Sequence, residues 1–242
     1  MRITFTSYSN CSDFSVEPHL SEETVRKNLS QLQSLNEKLT KTLQKIRPEP
    51  DLEELKRIYQ HKDVTLDPDT AHPNLILSDD GKQVRYGDKK QKRPDNPKRF
   101  DKYIDVLGQE GFSGRFYYEV QVRGKIEWSL GVVKESVDRK GEIILAPQNG
   151  FWILIMRNGN KYTACAEHPD SLTLREKPQK VGVFVDYEEG QVSFYDVEAR
   201  SHIYSYNGQS FTGNLYPFFS PGLNDEGKNS AALIITPVSN TE

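Results

Sequence analysis

The sequence predicts an all-β protein, a two-sheet antiparallel β-sandwich, preceded by a short α-helical coiled-coil segment. Three observations predict it. Past His61 the apolar residues recur with a period of about 2 instead of about 3.6, turn dipeptides arrive at short intervals, and no helical pattern separates the strands. Alternating short strands without intervening helices argue for two packed sheets and against a βαβ fold. The 242 residues then divide into a flexible amino-terminal segment over 1–20, a helical coiled-coil and linker over 21–60, and the sandwich over 63–238.

The first helix is legible from Ser21 to Ile46. Ser21 suits an N-cap, Glu22 and Glu23 suit the first turn, and neither Gly nor Pro interrupts before Pro48. Val25, Leu29, Leu32, Leu39, Leu43 and Ile46 recur in alternating steps of four and three, with Asn36 in the remaining slot. That is a heptad seam, and a seam Asn fixes register at a cost in stability. The stripe pairs two chains as a homo- or hetero-dimer through 21–46, docks on the chain's own globular part, or is what is left of a longer coiled coil. Arg47-Pro48-Glu49-Pro50 ends the helix, because proline has no amide hydrogen and restricts its predecessor. Asp51 with Glu54 then forms a capping box ahead of Leu55, Ile58 and Tyr59, a second amphipathic turn or two.

Asp80-Gly81 joins a strand over Leu75 to Leu77 with one over Gln83 to Tyr86. Phe116, Tyr118, Val120 and Val122 alternate with polar neighbours, and after Arg123-Gly124-Lys125 so do Trp128, Leu130 and Val132, so these two strands are expected to pair as a hairpin. Asn158-Gly159 links Phe151 to Arg157 with Lys161 to Cys165; Asn-Gly tolerates the positive φ of a tight hairpin turn. Glu189-Gly190 links Val181 to Tyr187 with Gln191 to Asp196, and Leu233 to Ile235 supplies a last strand. Trp128, Trp152, Phe184 and Phe194 are expected between the sheets, since 12 Tyr, 11 Phe and two Trp must furnish much of a core in a chain only 35% hydrophobic.

Composition excludes several function classes. The longest apolar run, Phe151 to Met156, has six residues, whereas a membrane-spanning helix needs about 20. No apolar stretch follows the amino terminus as in a secretory signal, so the expected location is cytoplasmic and the sequons at Asn10 and Asn28 carry little weight. Cys11 and Cys165 cannot build a disulfide framework, and two Cys with five scattered His cannot supply the four close ligands of a structural zinc. No cofactor or metal is expected.

Catalytic motifs also fail. Gly222 to Lys228 has P-loop spacing but lacks the following Ser or Thr, puts Asp225 and Glu226 where phosphate would sit, and leads into a strand. Asp79-Asp80 and Glu188-Glu189 abut turn glycines, where carboxylates are ordinarily solvated. Cys165 has His168 nearby but nothing in the sequence shows an oriented base. The net charge of −3 argues against general polyanion binding, yet residues 81–103 hold nine bases against three acids. Lys89, Lys90, Lys92, Arg93, Lys98 and Arg99 read as a solvated basic loop, with nuclear import through Lys89, Lys90, Lys92 and Arg93 as the alternative. Without interleaved aromatic rings, nucleic-acid reading is not expected.

Seven stretches, in this order, carry a family resemblance: Val64 to Ala71, Leu75 to Gly81, Ser113 to Val120, Trp128-Ser-Leu-Gly-Val132, Asn149 to Trp152, Val183 to Tyr187, and Leu215 to Gly222. Together they resemble a PRY/SPRY domain over about 63–238, and the preceding coiled-coil remnant resembles the carboxy-terminal half of a tripartite-motif (TRIM) E3 ubiquitin ligase. Butyrophilins and pyrin share the domain, but a butyrophilin would carry a membrane span. The chain has no RING or B-box cysteines, so a ligase role would need a fuller product or a partner. The resemblance implies a non-enzymatic protein-recognition module, with substrate recognition for ubiquitination in innate immunity. The alternatives are a fragment of a complete RING ligase and a butyrophilin-like sensor of a small phosphorylated ligand, which needs a basic pocket.

It also implies a shallow pocket built by loops at one edge of the sandwich. With Trp128, Leu130 and Val132 inward, Glu127 and Ser129 point toward that pocket. Ile155 and Arg157 stand about where antibody-binding relatives carry two Trp, large rigid rings that dominate hot spots, so antibody binding is not expected. Arg157 offers its planar fork to an acidic partner group instead. Leu223 and Asn224 stand where relatives offer a contact Phe.

Overall fold

The computed structural model describes residues 21–46, 51–166 and 170–237. Among them are two α-helices and fourteen strands, and the chain divides into one unit over 1–49 and a second over 50–242.

In the first unit, helix α1 runs without a break over Glu22–Ile46. Ser21 caps it, its Oγ accepting from the Thr24 amide at 3.2 Å, as the sequence leads one to expect. Val25, Leu29, Leu32, Leu35 and Leu39 are all exposed along it.

The second unit opens with α2 (Leu52–Ile58), whose N-cap Asp51 accepts from the Glu53 amide at 3.4 Å. Grouped above with the helical linker, α2 is part of the sandwich unit. Leu52, Leu55 and Tyr59 pack on Tyr117, Phe184 and Tyr195 of the sheet beneath, and Lys56 pairs with the buried Glu119 at 2.6 Å. Burial at Leu52, Leu55 and Tyr59 uses one narrow face, which leaves Ile58 exposed rather than in the stripe.

One sheet has eight strands: β2 (Leu75–Leu77), β3 (Gln83–Tyr86), β5 (Arg115–Gln121), β10 (Lys180–Asp186), β11 (Gln191–Asp196), β12 (Ser201–Tyr206) and β14 (Leu233–Ile235), in the order β12-β11-β10-β5-β14-β3-β2, with β1 (Gln60–His61) alongside β5. The other has six: β4 (Val106–Leu107), β6 (Trp128–Lys134), β7 (Phe151–Arg157), β8 (Lys161–Ala164), β9 (Asp170–Leu172) and β13 (Leu215–Ser220), in the order β4-β13-β6-β7-β8-β9. Every pairing is antiparallel except β1 with β5. The hairpins β2–β3, β7–β8 and β10–β11 form as the turn residues predict.

The hairpin expected between β5 and β6 does not form. Instead β5 pairs with β10 and β14 in the first sheet, and β6 pairs with β7 and β13 in the second. Phe116, Tyr118 and Val120 therefore meet Trp128, Leu130 and Val132 across the interior. The short connection after Val122 suffices because packed sheets lie about 10 Å apart. Lys125, wholly buried, holds the crossover by donating to the Asn229 carbonyl at 2.9 Å.

Trp128, Trp152 and Phe194 lie in the inter-sheet core as expected, but Phe184 does not. It faces outward from β10 and is buried under α2, with Tyr59 edge-on to its ring at 5.5 Å. Two tyrosines tie the layers together by polar tips: Tyr206 donates to the Ile153 carbonyl at 2.7 Å, and Tyr118 to that of Gly131 at 2.5 Å. A separate apolar cluster of Phe100, Leu107, Phe151, Ile153 and Phe218 covers the outer face of the six-stranded sheet.

Candidate functional site

The outer face of the six-stranded sheet carries a transverse row of polar and apolar side chains at one end. Ser220 of β13 is in register with Ser129 of β6, Ser129 with Ile155 of β7, and Ile155 with Thr163 of β8. Register partners in antiparallel strands point to the same face. Phe218 pairs with Leu107 and Phe219 with Val106, so the register carries on to Asp105 beside Ser220.

Arg157, two residues beyond Ile155, lies back over this row. Its Nη1 donates to the carbonyls of Trp128 and Met156, each at 2.9 Å, and its Nη2 donates to Ser129 Oγ at 3.3 Å. The guanidinium is thus fixed at three points. Ser129, expected to face a pocket directly, is only 2% exposed and lies beneath Arg157. Ile155 is half-buried against the outer apolar cluster.

Asp105 is buried, and that burial pushes its carboxyl up to about 7, against the opposing pull of a hydrogen bond with Ser220 and of the Arg157 guanidinium. Segment 100–104 and loop 141–145 wall this side: Glu142 accepts from Tyr103 Oη at 2.8 Å and pairs with Lys102. Cys165 is buried nearby with its thiol pushed up to about 11, the state of an inert structural thiol. Its suggested partner His168 lies outside the described residues.

Glu127, Leu223 and Asn224 come together at the other flank, and Asn229 joins them. Its Oδ1 accepts from the amides of Ile126 at 2.8 Å and Glu127 at 3.2 Å. Its Nδ2 donates to the carbonyls of Pro221 at 2.9 Å, Leu223 at 2.8 Å and Glu127 at 3.2 Å. Gly222 lets the loop come this close: at φ +70° a Cβ there would lie 2.7 Å from that of Glu127. Leu223 is left 53% exposed. Asn224 turns toward the first sheet, where it lines a groove of about 360 Å³ with Ile76, Arg85, Lys89 and Gln91.

The six residues singled out from sequence therefore fall into a row of Ser129, Ile155 and Arg157 and a flanking loop of Glu127, Leu223 and Asn224. Asp105, Ser220 and Asn229 were missed. Asn229 sits in the P-loop look-alike, whose lysine spacing drew attention away from the residue after it; nothing in the sequence singles out Asp105 or Ser220. In the basic loop, Arg99 is buried and donates to the carbonyls of Pro68, Ala71 and Pro94, while Lys89, Lys90, Lys92 and Lys98 are exposed. Among the described residues no cluster of ligating side chains could hold a metal, and no helix is long and apolar enough to cross a membrane.

Comparison with known proteins matches residues 64–112 to the SPRY-associated (PRY) domain and residues 115–234 to the SPRY domain. Human Pyrin is 53% identical over 176 residues, 72% of this chain and 22% of that protein. Human Zinc finger protein RFP is 44% identical over 210 residues, 86% of this chain and 40% of that protein. The chain thus spans well under half the length of these relatives. Among solved structures, the TRIM65 PSpry domain superposes with a TM-score of 0.64 at 20% identity, over 79% of this chain and all of that one, which establishes a shared fold.

Proposed function

The chain belongs to the PRY/SPRY family, and on that premise we propose that it binds a protein partner at the Ser129–Ile155–Arg157 row and the adjoining 222–224 loop. The observation that carries this is a row on the outer sheet face whose base is buried and whose upper side chains are partly exposed. Ser129, Ser220 and Asp105 are buried, Ile155 and Arg157 are half-buried above them, and Leu223 is exposed on the flanking loop. Arg is enriched among interface hot spots, and here an immobilised guanidinium stands beside the partly exposed Ile155. Loops on a rigid scaffold supply the specificity.

The finer function is substrate recognition for ubiquitination in innate immunity, with the RING supplied by another chain or by further sequence. Two cysteines cannot form a RING. Helix α1 pairs two copies through its exposed seam, with Asn36 setting the register.

Pull-down with the full chain tests the docking site. Ile155→Asp and Arg157→Glu are expected to release specifically captured proteins while each variant still shows a cooperative melting transition, whereas Glu188→Lys, on the β10–β11 turn, keeps them at unchanged melting temperature. Partners that survive both rim changes would place the docking surface elsewhere.

A further inference from the structure

We propose that the row takes a carboxylate of the partner, gripped side-on by the Nε–Nη2 edge of Arg157. The inference rests on the docking site above and names the chemistry it recognises. A guanidinium has five N–H donors in one plane. Both hydrogens of Nη1 are directed at the Trp128 and Met156 carbonyls, and one of Nη2 at Ser129 Oγ. The Nε–H makes no hydrogen bond within the protein and Nη2 carries a second hydrogen, so the Nε–Nη2 side of the fork, which matches a carboxylate's two oxygens, is the part of the guanidinium left for a ligand.

Within the described residues no group hydrogen-bonds to that side, although the buried Asp105 and Cys165 feel the Arg157 charge. Among the described residues Arg157 has no ion pair and no further hydrogen bond. Its guanidinium is already immobilised, so little side-chain freedom remains to be lost on binding. Asp105 acts on Arg157 through charge alone: it makes neither a hydrogen bond nor an ion pair with the guanidinium, and burial pushes its carboxyl up to about 7. One positive charge, with Glu127 two residues before Ser129, suits a monoanion better than a dianionic phosphate. Ile155 on the same face adds an apolar contact, so the ligand is an acidic group flanked by an apolar residue.

The carboxylate has two sources, an Asp or Glu side chain or a chain's own carboxy terminus. Three immobilised peptide pools distinguish them: randomised around a fixed Asp with an amidated terminus, around a fixed Asn with an amidated terminus, and around a fixed Asn with a free terminus. Retention of the full chain is measured for wild type, Arg157→Gln, Arg157→Lys and Ile155→Asp. Wild type is expected to prefer the Asp pool, or the free-terminus pool, about tenfold over the Asn amide pool. Both Arg157 variants lose the preference, lysine included, because it keeps the charge without the fork. Sodium acetate displaces the wild-type chain and sodium chloride of equal ionic strength does not, a readout independent of how the variants fold.

Equal retention on all three pools, retention of the preference by Arg157→Lys, or no retention on any pool would overturn the carboxylate. If retention is equal but Ile155→Asp abolishes it, the docking site stands without the carboxylate; if Ile155→Asp changes nothing, both fall.

Discussion

Asn229 links the crossover, the 221–224 loop and the start of β6 through one side chain. Five hydrogen bonds converge on its amide, and the site is 1% exposed. Its removal leaves buried amides and carbonyls unpaired at about 1–3 kcal/mol each. Asn229→Ala is therefore expected to lower stability in urea unfolding by about 3 kcal/mol or more and to loosen Leu223, whereas Leu223→Ala, on an exposed side chain, changes it by under about 0.5 kcal/mol. Two buried ionisable groups shape the pH profile. Asp105 binds its proton more tightly folded than unfolded, so its contribution is fully present below about 4 and is lost as pH rises to about 7. Lys125, pulled down to about 8 by burial, releases its proton more readily folded than unfolded, so stability climbs between about 8 and 10. Denaturation across pH should show a minimum near 7–8, with the acid limb flattened in Asp105→Asn and the alkaline limb in Lys125→Met. None of these three residues was legible, because a buried polar group leaves no periodicity; only its partners reveal it.

Elements were more legible than residues, and where they failed the cause is physical. The strands of the sandwich announce themselves by alternation and turn chemistry, and their hairpins follow when two turn residues join them. The β5–β6 pairing misled because alternation says which face is inward and not which sheet a strand joins. Phe184 misled for a related reason: β10 is buried on both faces, with valines inward and Phe184 under α2, so alternation vanishes. The contact across that outer face is open to a double-mutant cycle. Tyr59→Ala with Phe184→Leu is expected to show a coupling of about 0.5–1.5 kcal/mol, while Tyr59→Ala with Phe194→Leu, on the opposite face of the sheet, is additive. For α1 the seam predicts a separable effect. Leu32→Glu is expected to reduce self-association in sedimentation velocity while leaving the melting of the sandwich unchanged; unaltered association would remove the seam as a pairing surface.

At the scale of the whole molecule, two sheets close around an aromatic and aliphatic interior, and each outer face is dressed differently. On the eight-stranded sheet, α2 and its ion pair with Glu119 cover the rings. On the six-stranded sheet, an apolar cluster covers part of the outer face, and the row over Ser129 lies at one end with Ile155 and Arg157 partly exposed. That asymmetry follows from the order of elements along the chain, which the family motifs made legible, whereas the loop that completes the rim is placed by a single buried amide. Amide hydrogen exchange of the full chain, free and bound to a protein it captures, tests the docking site most directly. Slowed exchange at 126–129, 153–157 and 221–224 on binding is the predicted result. Protection confined to β11 and β12, with those three segments unchanged, would contradict it.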